Sequence, residues 1–249
     1  MASRRTWRTR GIVIDRTKLG ETDLILTVLD AEGAQVRAVA KGARKPGGRF
    51  ASRVQLFCEL DLLLARGRSL DIVSEAALVE PHVGLRGDLE RVSAASAVCE
   101  VAQRTCFEDA TDPFLMPVCS RALLACEQAS DQAHLDLAVA AYIMKVLSHQ
   151  GWRPELDGCV ACGDAAVSRF SPTAGGCLCE SCARDLPGAE PVDSQQVRWI
   201  GCLVSLTFDE LLAAGIDGAT AAFLLATAHR WAATHLECRL RSLEFAMSL

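Results

Sequence analysis

The chain has 249 residues, half of them hydrophobic, and a formal net charge of −5. This length allows two domains or one large one, and the apolar content is sufficient for a sizeable core. No apolar run approaches the roughly 18 residues that span a bilayer, and the basic N-terminus lacks the apolar segment of a secretory signal, so we expect a cytosolic protein.

Residues 7–80 are predicted to form β-structure, because polar and apolar residues alternate there between turn-forming segments. The predicted strands begin at Gly11, cover Asp23–Asp30, Gln35–Ala40 and 55–65, and end with Leu70–Ala76. Five short strands fit a small barrel such as an OB-fold, in which closure hides the sheet edges. We therefore predict an all-β barrel domain over residues 1–81.

Positive charge is concentrated in this segment. Residues 1–53 carry twelve Lys and Arg against five Asp and Glu. The densest cluster of positive charge comprises Lys41, Arg44, Lys45, Arg49 and Arg53. Glycine and proline mark the cluster as a loop. Such cations suit a phosphate backbone, and a solvated surface loop is the equally weighted alternative. Gly48 and Arg49 replace the Lys and Ser/Thr of a nucleotide-binding phosphate loop, which excludes that site.

Helical periodicity begins near residue 84 and predicts an all-α domain over residues 82–249. Predicted helices include Leu135–Leu147, Gln195–Leu203, Thr207–Ala214 and Ala219–Arg241. Cysteines recur seven residues apart, which returns them to one helix face. We expect the cysteines outside the motif described next to be core residues: Cys58, Cys99, Cys106, Cys119, Cys126, Cys202 and Cys238.

Four cysteines in an insert at about 155–187 have the spacing C-x2-C-x16-C-x2-C. They are Cys159, Cys162, Cys179 and Cys182, and this spacing predicts a structural zinc site. Cys177 is a competing fifth sulfur, but Cys179 completes the second C-x2-C pair. Buried free thiols, or an iron site with the same ligands, are the alternatives.

Four thiolates close the coordination shell, so we expect a structural site rather than a catalytic one, which would need an open position. Zinc deaminases combine H-x-E with a later P-C-x-x-C. His235-Leu236-Glu237 follows the cysteine pairs instead, and neither pair is preceded by proline. The deaminase alternative is therefore weak.

Three motifs are more specific than the pattern of elements: Gly20-Glu21-Thr22-Asp23, Ala40-Lys41-Gly42-Ala43-Arg44 and Val54-Gln55-Leu56-Phe57. They resemble the G-E-x-D/S, A-K-G-A-R and L-Q-P-F segments of the RecO family of bacterial recombination mediators, although Leu56 stands where proline is common. Many members lack the zinc cysteines, so the chain resembles a zinc-bearing branch. The resemblance covers essentially the whole chain.

The resemblance implies a role in DNA repair and homologous recombination after DNA damage, without a bond-making active site. Proteins of this family bind single- and double-stranded DNA, anneal complementary strands and bind the single-strand-binding protein SSB. With RecR they help to load RecA, an indirect partner, onto SSB-coated DNA in the RecFOR pathway. The implied location is the bacterial cytoplasm, in association with the nucleoid.

The basic loop supplies the expected DNA contacts, with Trp7 added as an aromatic candidate. Trp7 and Phe50 are flanked by basic residues and are candidates for stacking on bases, whereas Phe57 is expected in the barrel core. With so few aromatic residues, the barrel should rely on phosphate contacts and bind with little sequence preference.

The acidic tail of SSB ends in apolar side chains and a carboxylate, so it needs an apolar groove with a basic rim. Between residues 92 and 152 the basic residues are Arg104, Arg121 and Lys145. Arg121 is the first choice, because Leu123, Leu124 and Cys126 beside it are expected to offer apolar surface. A solvated helix face is the alternative for each of the three.

Two other functions fit part of the pattern. A zinc-ribbon scaffold of a transcription or RNA complex would share the metal and the basic barrel. A zinc hydrolase of nucleic acid is less well supported, because no carboxylate or histidine cluster lies near the cysteines in the sequence.

Overall fold

The computed structural model describes residues 6–186 and 188–249. The predictions made for the basic N-terminal residues 1–5 and for Pro187 lie outside the described residues. The chain forms two compact units, which divide between Glu127 and Gln128. The change from strands to helices comes earlier, near residue 81.

The first unit contains a closed barrel in which the strands follow the order β1-β2-β3-β5-β4. The strands are β1 (Thr6–Leu19), β2 (Asp23–Asp30), β3 (Gln35–Ala40), β4 (Glu59–Ala65) and β5 (Asp71–Glu80). The long β1 closes the barrel, because its first half pairs with β4 and its second half with β2. The predicted N-terminal barrel is confirmed.

Alternation of side chains places one face of each strand inside the barrel. The buried residues include Leu24, Leu26 and Val28 of β2 and Leu60, Leu62 and Leu64 of β4. Gly11 lies where β1 passes close to β2. A Cβ on Gly11 would stand 2.6 Å from the carbonyl oxygen of Leu29, so glycine is required by this close approach.

The seam between β3 and β5 is the weak part of the barrel. These two strands are parallel and share only the pairs Ala38–Asp71 and Val39–Ile72. Beyond the second of these pairs, two side chains from the loop between β3 and β4 donate hydrogen bonds to β5. Arg49 donates to the carbonyl of Ser74, and Arg53 donates to the carbonyl of Ala76 at 3.3 Å. Because carbonyls two residues apart face the same strand edge, the two arginines cover one edge of β5.

Two helices follow the barrel within the first unit, after a 3₁₀ turn at Val83–Arg86. They are α1 (Leu89–Thr105) and α2 (Leu115–Gln128). Asp88 caps α1 by accepting a hydrogen bond from the amide of Arg91. The cysteines at 58, 99, 106, 119 and 126 are all buried, as predicted.

The second unit is built around the apolar helix α3, which packs against α5, α6 and α7. Its elements are α3 (Gln132–His149), β6 (Arg169–Ser171), β7 (Gly176–Leu178), α4 (Glu180–Ala183), β8 (Glu190–Pro191), α5 (Ser194–Ser205), α6 (Phe208–Ala213), α7 (Gly218–Leu236) and α8 (Arg241–Ala246). The three short strands form a small sheet in the order β7-β6-β8.

Two expectations for this unit were wrong. The single helix predicted over 219–241 ends at Leu236, because Glu237 has left-handed backbone (φ 49°) and the chain turns to bury Leu240 and Leu243. Cys202 and Cys238 were expected in the core but are only half-buried. Among the described residues, no helix is both long and apolar enough to cross a membrane.

Candidate metal centre and nucleic-acid interface

Four cysteine sulfurs converge in the second unit. The Sγ atoms of Cys159, Cys162, Cys179 and Cys182 all lie within 4.8 Å of one another. The Sγ atoms of Cys162 and Cys179 are 3.8 Å apart. A tetrahedral ion with metal–sulfur bonds of about 2.3 Å has S···S edges of about 3.8 Å. The spacing of the sulfurs therefore fits one tetrahedral metal ion.

The first pair is shaped by a tight turn. The amide of Gly163 donates to the carbonyl of Cys159 at 2.8 Å, and the amide of Cys159 donates to the carbonyl of Asp164 at 2.8 Å. Gly163 has φ +78°, a conformation that other residues adopt only with strain. Gly163 thus lets the chain reverse directly after Cys162.

The second pair is placed by a strand end and a helix start. Cys179 follows β7 and is the N-cap residue of the short helix α4, and Cys182 lies within α4. The amide of Ala183 donates to the carbonyl of Cys179 at 3.1 Å. The resulting helical turn carries Cys182 to the same side as Cys179.

The protonation of the four thiols is uneven. Backbone N–H groups, first that of Cys179, lower the pKa of Cys159 to about 6. Hydrogen bonds to the neighbouring sulfurs, first to that of Cys179, raise the pKa of Cys182 to about 12, because they favour the protonated thiol. A bound cation would replace these protons and hold all four sulfurs as thiolates.

Cys177 has a different position. It is fully buried in β7, opposite Phe170 of β6, and burial raises the pKa of its thiol to about 11. Its backbone joins two parts of the insert, since its amide donates to Glu155 and its carbonyl accepts from Val160. Among the described residues, the cluster that could hold a metal includes Cys179 and does not include Cys177.

His235 and Glu237 do not join the cysteine cluster. The His235 ring stacks on Trp152 at a centroid distance of 4.5 Å and meets Trp231 edge-on at 4.5 Å. Trp231 in turn contacts Phe170, at 5.5 Å between ring centroids. This aromatic cluster packs β6 of the insert against α7, and the geometry does not support the deaminase alternative.

The basic loop lies between β3 and β4 in the first unit. Lys41, Arg44 and Lys45 are exposed. The loop is a series of tight turns, and Gly42 and Gly47 have φ values of +68° and +70°. The amide of Lys45 donates to the carbonyl of Gly42 at 3.1 Å, and the amide of Gly48 to that of Lys45 at 2.9 Å. The cations therefore stand on a folded loop.

The turn between β1 and β2 anchors this loop. Asp23 Oδ1 accepts hydrogen bonds from the amide of Gly42 at 2.8 Å and from the Thr22 hydroxyl at 2.9 Å. The Arg44 amide donates to the carbonyl of Thr22 at 2.9 Å, and its guanidinium donates to the carbonyl of Gly20 at 3.0 Å. The Gly20–Asp23 and Ala40–Arg44 motifs are distant in sequence, and these hydrogen bonds join them in the structure.

The remaining candidates in this loop also have structural partners. Arg49 and Arg53 cover the edge of β5, and the Arg49 guanidinium lies 4.5 Å from the centre of the Phe50 ring. Phe50 is 4% exposed and belongs to the barrel core. The expectation that Phe50 stacks on bases is therefore wrong. Phe57 is buried, as expected.

Trp7 is half-buried and held on several sides. Its indole Nε1 donates to Asp71 at 2.7 Å, the ring packs against the barrel core, and the Arg66 guanidinium lies 4.8 Å from the ring centre. A base could stack on Trp7 only where Arg66 moves aside.

The three basic residues considered for binding the SSB tail lie in different surroundings. Arg104 and Arg121 are exposed on α1 and α2, in the first unit. Lys145 belongs to the second unit, where its ammonium donates to the carbonyls of Val204 (3.0 Å) and Leu206. Burial lowers the pKa of Lys145. Its role there is to satisfy the C-terminal carbonyls of α5.

The apolar surface expected beside Arg121 is absent. Leu123 and Cys126 are fully buried, and only Leu124 is partly exposed. Sequence reasoning missed a groove along α5 in the second unit, which is lined by Arg153, Leu156, Arg198, Trp199 and Cys202 among others. The groove consists of two adjoining depressions, and Arg198 and Cys202 line both of them. The sequence signal was available, since Arg198 and Trp199 lie four and three residues before Cys202 and so share its side of the helix.

Comparison with known proteins gives matches along nearly the whole chain. A family model described as Recombination protein O N terminal matches residues 1–82, and one described as Recombination protein O C terminal matches residues 86–244. The DNA repair protein RecO of Desulforudis audaxviator is 33% identical over 241 residues, covering 96% of this chain and 95% of that protein. The RecO of Nocardioides sp. is 34% identical over 248 residues, covering 96% and 98%. The RecO of Roseiflexus sp. is 39% identical over 182 residues, 72% of this chain and 63% of that protein.

An OB-fold barrel followed by a helical part, together with these matches, places the chain in a class of DNA repair proteins, and the four-cysteine cluster that could hold a metal is an additional feature of this chain. Both halves of the chain match one family, and the matches run through nearly its whole length. The chain belongs to the recombination protein O family, the RecO family of DNA repair proteins.

Proposed function

We propose that this protein is a non-enzymatic recombination mediator of the bacterial cytoplasm. It binds single- and double-stranded DNA, anneals complementary strands and, with RecR, helps to load RecA onto SSB-coated DNA. The observation that carries the proposal is the folded basic loop on the barrel, anchored by Asp23. Lys41, Arg44 and Lys45 are exposed cations of this loop, and Arg49, Arg53 and Trp7 extend the proposed DNA surface.

Phosphate contacts explain why such a surface suits annealing. Phe50 belongs to the barrel core, Phe57 is buried, and Arg66 lies over the Trp7 ring. Few aromatic rings are therefore available to stack on bases, and binding depends mainly on counterion release from the phosphates. Bases that are not held by the protein stay free to pair with a complementary strand.

We propose zinc as the metal of the four-cysteine site. Four thiolates at tetrahedral spacing match the ligand set and geometry of structural Zn²⁺, and the closed shell leaves no position for a substrate. When bound, the ion supplies folding energy to an insert whose own buried cluster is small.

An annealing assay tests the proposal against the zinc-ribbon scaffold. Complementary oligonucleotides labelled with a fluorescent donor and acceptor are mixed with the protein in the absence of nucleotide. The proposed mediator accelerates the appearance of duplex, and Lys41→Ala combined with Lys45→Ala reduces the acceleration. A scaffold protein binds the strands without accelerating annealing, and that result would remove this function.

We also propose that the acidic tail of SSB binds the helical part of the chain. Arg121 remains the first candidate because its side chain is exposed, with Arg104 next. The structural role of Lys145 makes it the weakest of the three. The α5 groove offers the apolar floor that the surface beside Arg121 lacks, and Arg198 provides charge within it.

Calorimetry with a synthetic peptide of three aspartates followed by leucine and phenylalanine separates these surfaces. Arg121→Ala weakens binding about ten- to a hundredfold if Arg121 holds the terminal carboxylate, since a charge-assisted hydrogen bond contributes about 1.5–3 kcal/mol. Arg198→Ala is the matched variant in the α5 groove. Loss of binding only in Arg198→Ala would move the site to α5, and loss only in the loop variant would place the tail on the barrel.

A further inference from the structure

We propose that Asp23 is the positioning residue of the DNA-binding loop, and that its carboxylate holds the loop cations in the arrangement that meets phosphates. This inference rests on the proposed DNA-binding function of the loop. An acidic side chain at the centre of a surface for a polyanion is electrostatically unfavourable, so its presence there needs a reason. The hydrogen bonds of Asp23 provide one.

The contacts of Asp23 fix the loop at its first glycine. Oδ1 accepts the amide hydrogen of Gly42 at 2.8 Å, and Gly42 has φ +68°, which directs the chain back toward the β1–β2 turn. Thr22 contributes to the same anchor through both its side chain and its backbone. Its hydroxyl donates to Asp23 and its carbonyl accepts the amide of Arg44.

The charge of Asp23 also acts on the cations directly. The Gly42 amide, the Thr22 hydroxyl and the nearby Lys41 and Lys45 all lower the pKa of Asp23. The carboxylate is therefore ionised at neutral pH and attracts both lysines. Asp23 thus has two opposing effects on DNA, since it orders the cations and also repels phosphate.

Two substitutions separate these effects because they predict opposite signs. Asp23→Asn keeps an oxygen that accepts the Gly42 amide and removes the negative charge, so DNA binding should become about twofold tighter at low salt. Asp23→Ala removes the acceptor as well, so the loop loses its anchor. We expect binding about five- to thirtyfold weaker, which corresponds to ordering one additional backbone residue on binding.

Glu21 is the matched control, because it is an exposed acid in the same turn. Glu21→Gln and Glu21→Ala should both bind DNA slightly more tightly, since each removes only a charge. The affinity is measured with a fluorescein-labelled oligonucleotide at several salt concentrations. Amide hydrogen exchange at Gly42 and Arg44 should become faster in Asp23→Ala and stay slow in Asp23→Asn, while exchange in the β2–β3 ladder stays unchanged.

An Asp23→Ala variant that binds DNA as tightly as Glu21→Ala overturns the inference, whether or not its Gly42 exchange changes. Failure of the proposed function gives a different result, in which Lys41→Ala with Lys45→Ala binds DNA like the wild type. Gly42 exchange does not depend on DNA, so it reports on the anchor in either case. Slow Gly42 exchange in Asp23→Ala overturns the inference on its own.

Discussion

Removal of one metal ligand should unfold the four-cysteine insert. Cys182→Ser leaves three thiolates and a hydroxyl, and the closed tetrahedron is lost. The buried residues of the insert cluster are Cys159, Leu178 and Cys179, of which two are proposed ligands. Full burial of Leu178 and of Phe170 contributes about 3–6 kcal/mol together, whereas a structural zinc ion contributes about 10–16 kcal/mol. The metal is therefore the larger of these stabilising terms.

Amide hydrogen exchange and elemental analysis measure this effect. The amides of Val160, Ser168 and Val192 donate hydrogen bonds to the carbonyls of Cys177, Leu178 and Ser168, so they should exchange slowly in the wild type. We expect all three amides to exchange nearly as fast as unstructured chain in Cys182→Ser or after chelation. The contact between Phe170 and Trp231 should be lost as well, which can be followed by tryptophan fluorescence.

The matched control is Cys177→Ser, which changes a buried sulfur outside the tetrahedron. It should keep one metal ion per chain and lower stability by about 1–3 kcal/mol, because a hydroxyl replaces a thiol in an apolar site. Metal lost in Cys177→Ser but kept in Cys179→Ser would refute the ligand set. Unchanged protection of the three amides in the metal-free wild type would refute the view that the metal holds the insert.

Three further predictions follow from single contacts. Arg53→Ala should lower the free energy of unfolding of the barrel by about 1 kcal/mol, measured by urea titration, because the Ala76 carbonyl loses its donor. Burial raises the pKa of Cys126 to about 12, so its thiol should resist iodoacetamide at pH 8 in the folded protein. The exposed Cys162 should react with iodoacetamide once metal is removed, and mass spectrometry would show both results. Lys145→Ala should lower the melting temperature, because two carbonyls at the end of α5 lose their donor, and should leave binding of the acidic peptide unchanged in the folded protein.

The local sequence pattern was sufficient to predict part of the barrel. The predicted bounds of β2 and β3 agree with the structure, because alternation and a short turn determine both strands. The predicted start of β4 at residue 55 was too early. Residues 50–58 form turns in which Phe57 has φ 73°, and the backbone of Phe57 and Cys58 bonds to Val13. That pairing joins segments more than forty residues apart, so the local sequence does not reveal it.

In the candidate metal and DNA sites, too, local sequence predicted some residues and could not reveal the roles of others. The spacing of the cysteines was enough to select the four that converge and to exclude Cys177, because a C-x2-C turn brings its own sulfurs together. The roles of Arg49, Phe50 and Arg53 were not accessible in this way. Each depends on the carbonyls of β5 or on the interior of a barrel built from distant strands, and composition alone marks all three as a basic surface loop.

The most direct test of the proposed DNA interface is the salt dependence of affinity for a single-stranded oligonucleotide. The slope of log affinity against log salt concentration counts the phosphates neutralised. Lys41→Ala and Lys45→Ala should each weaken binding to all sequences alike and reduce the slope by roughly 0.7. The reference variant is Arg104→Ala, which removes an exposed cation of α1 outside the loop. Unchanged affinity and slope in the double loop variant would contradict the assignment of this loop as the DNA-binding surface.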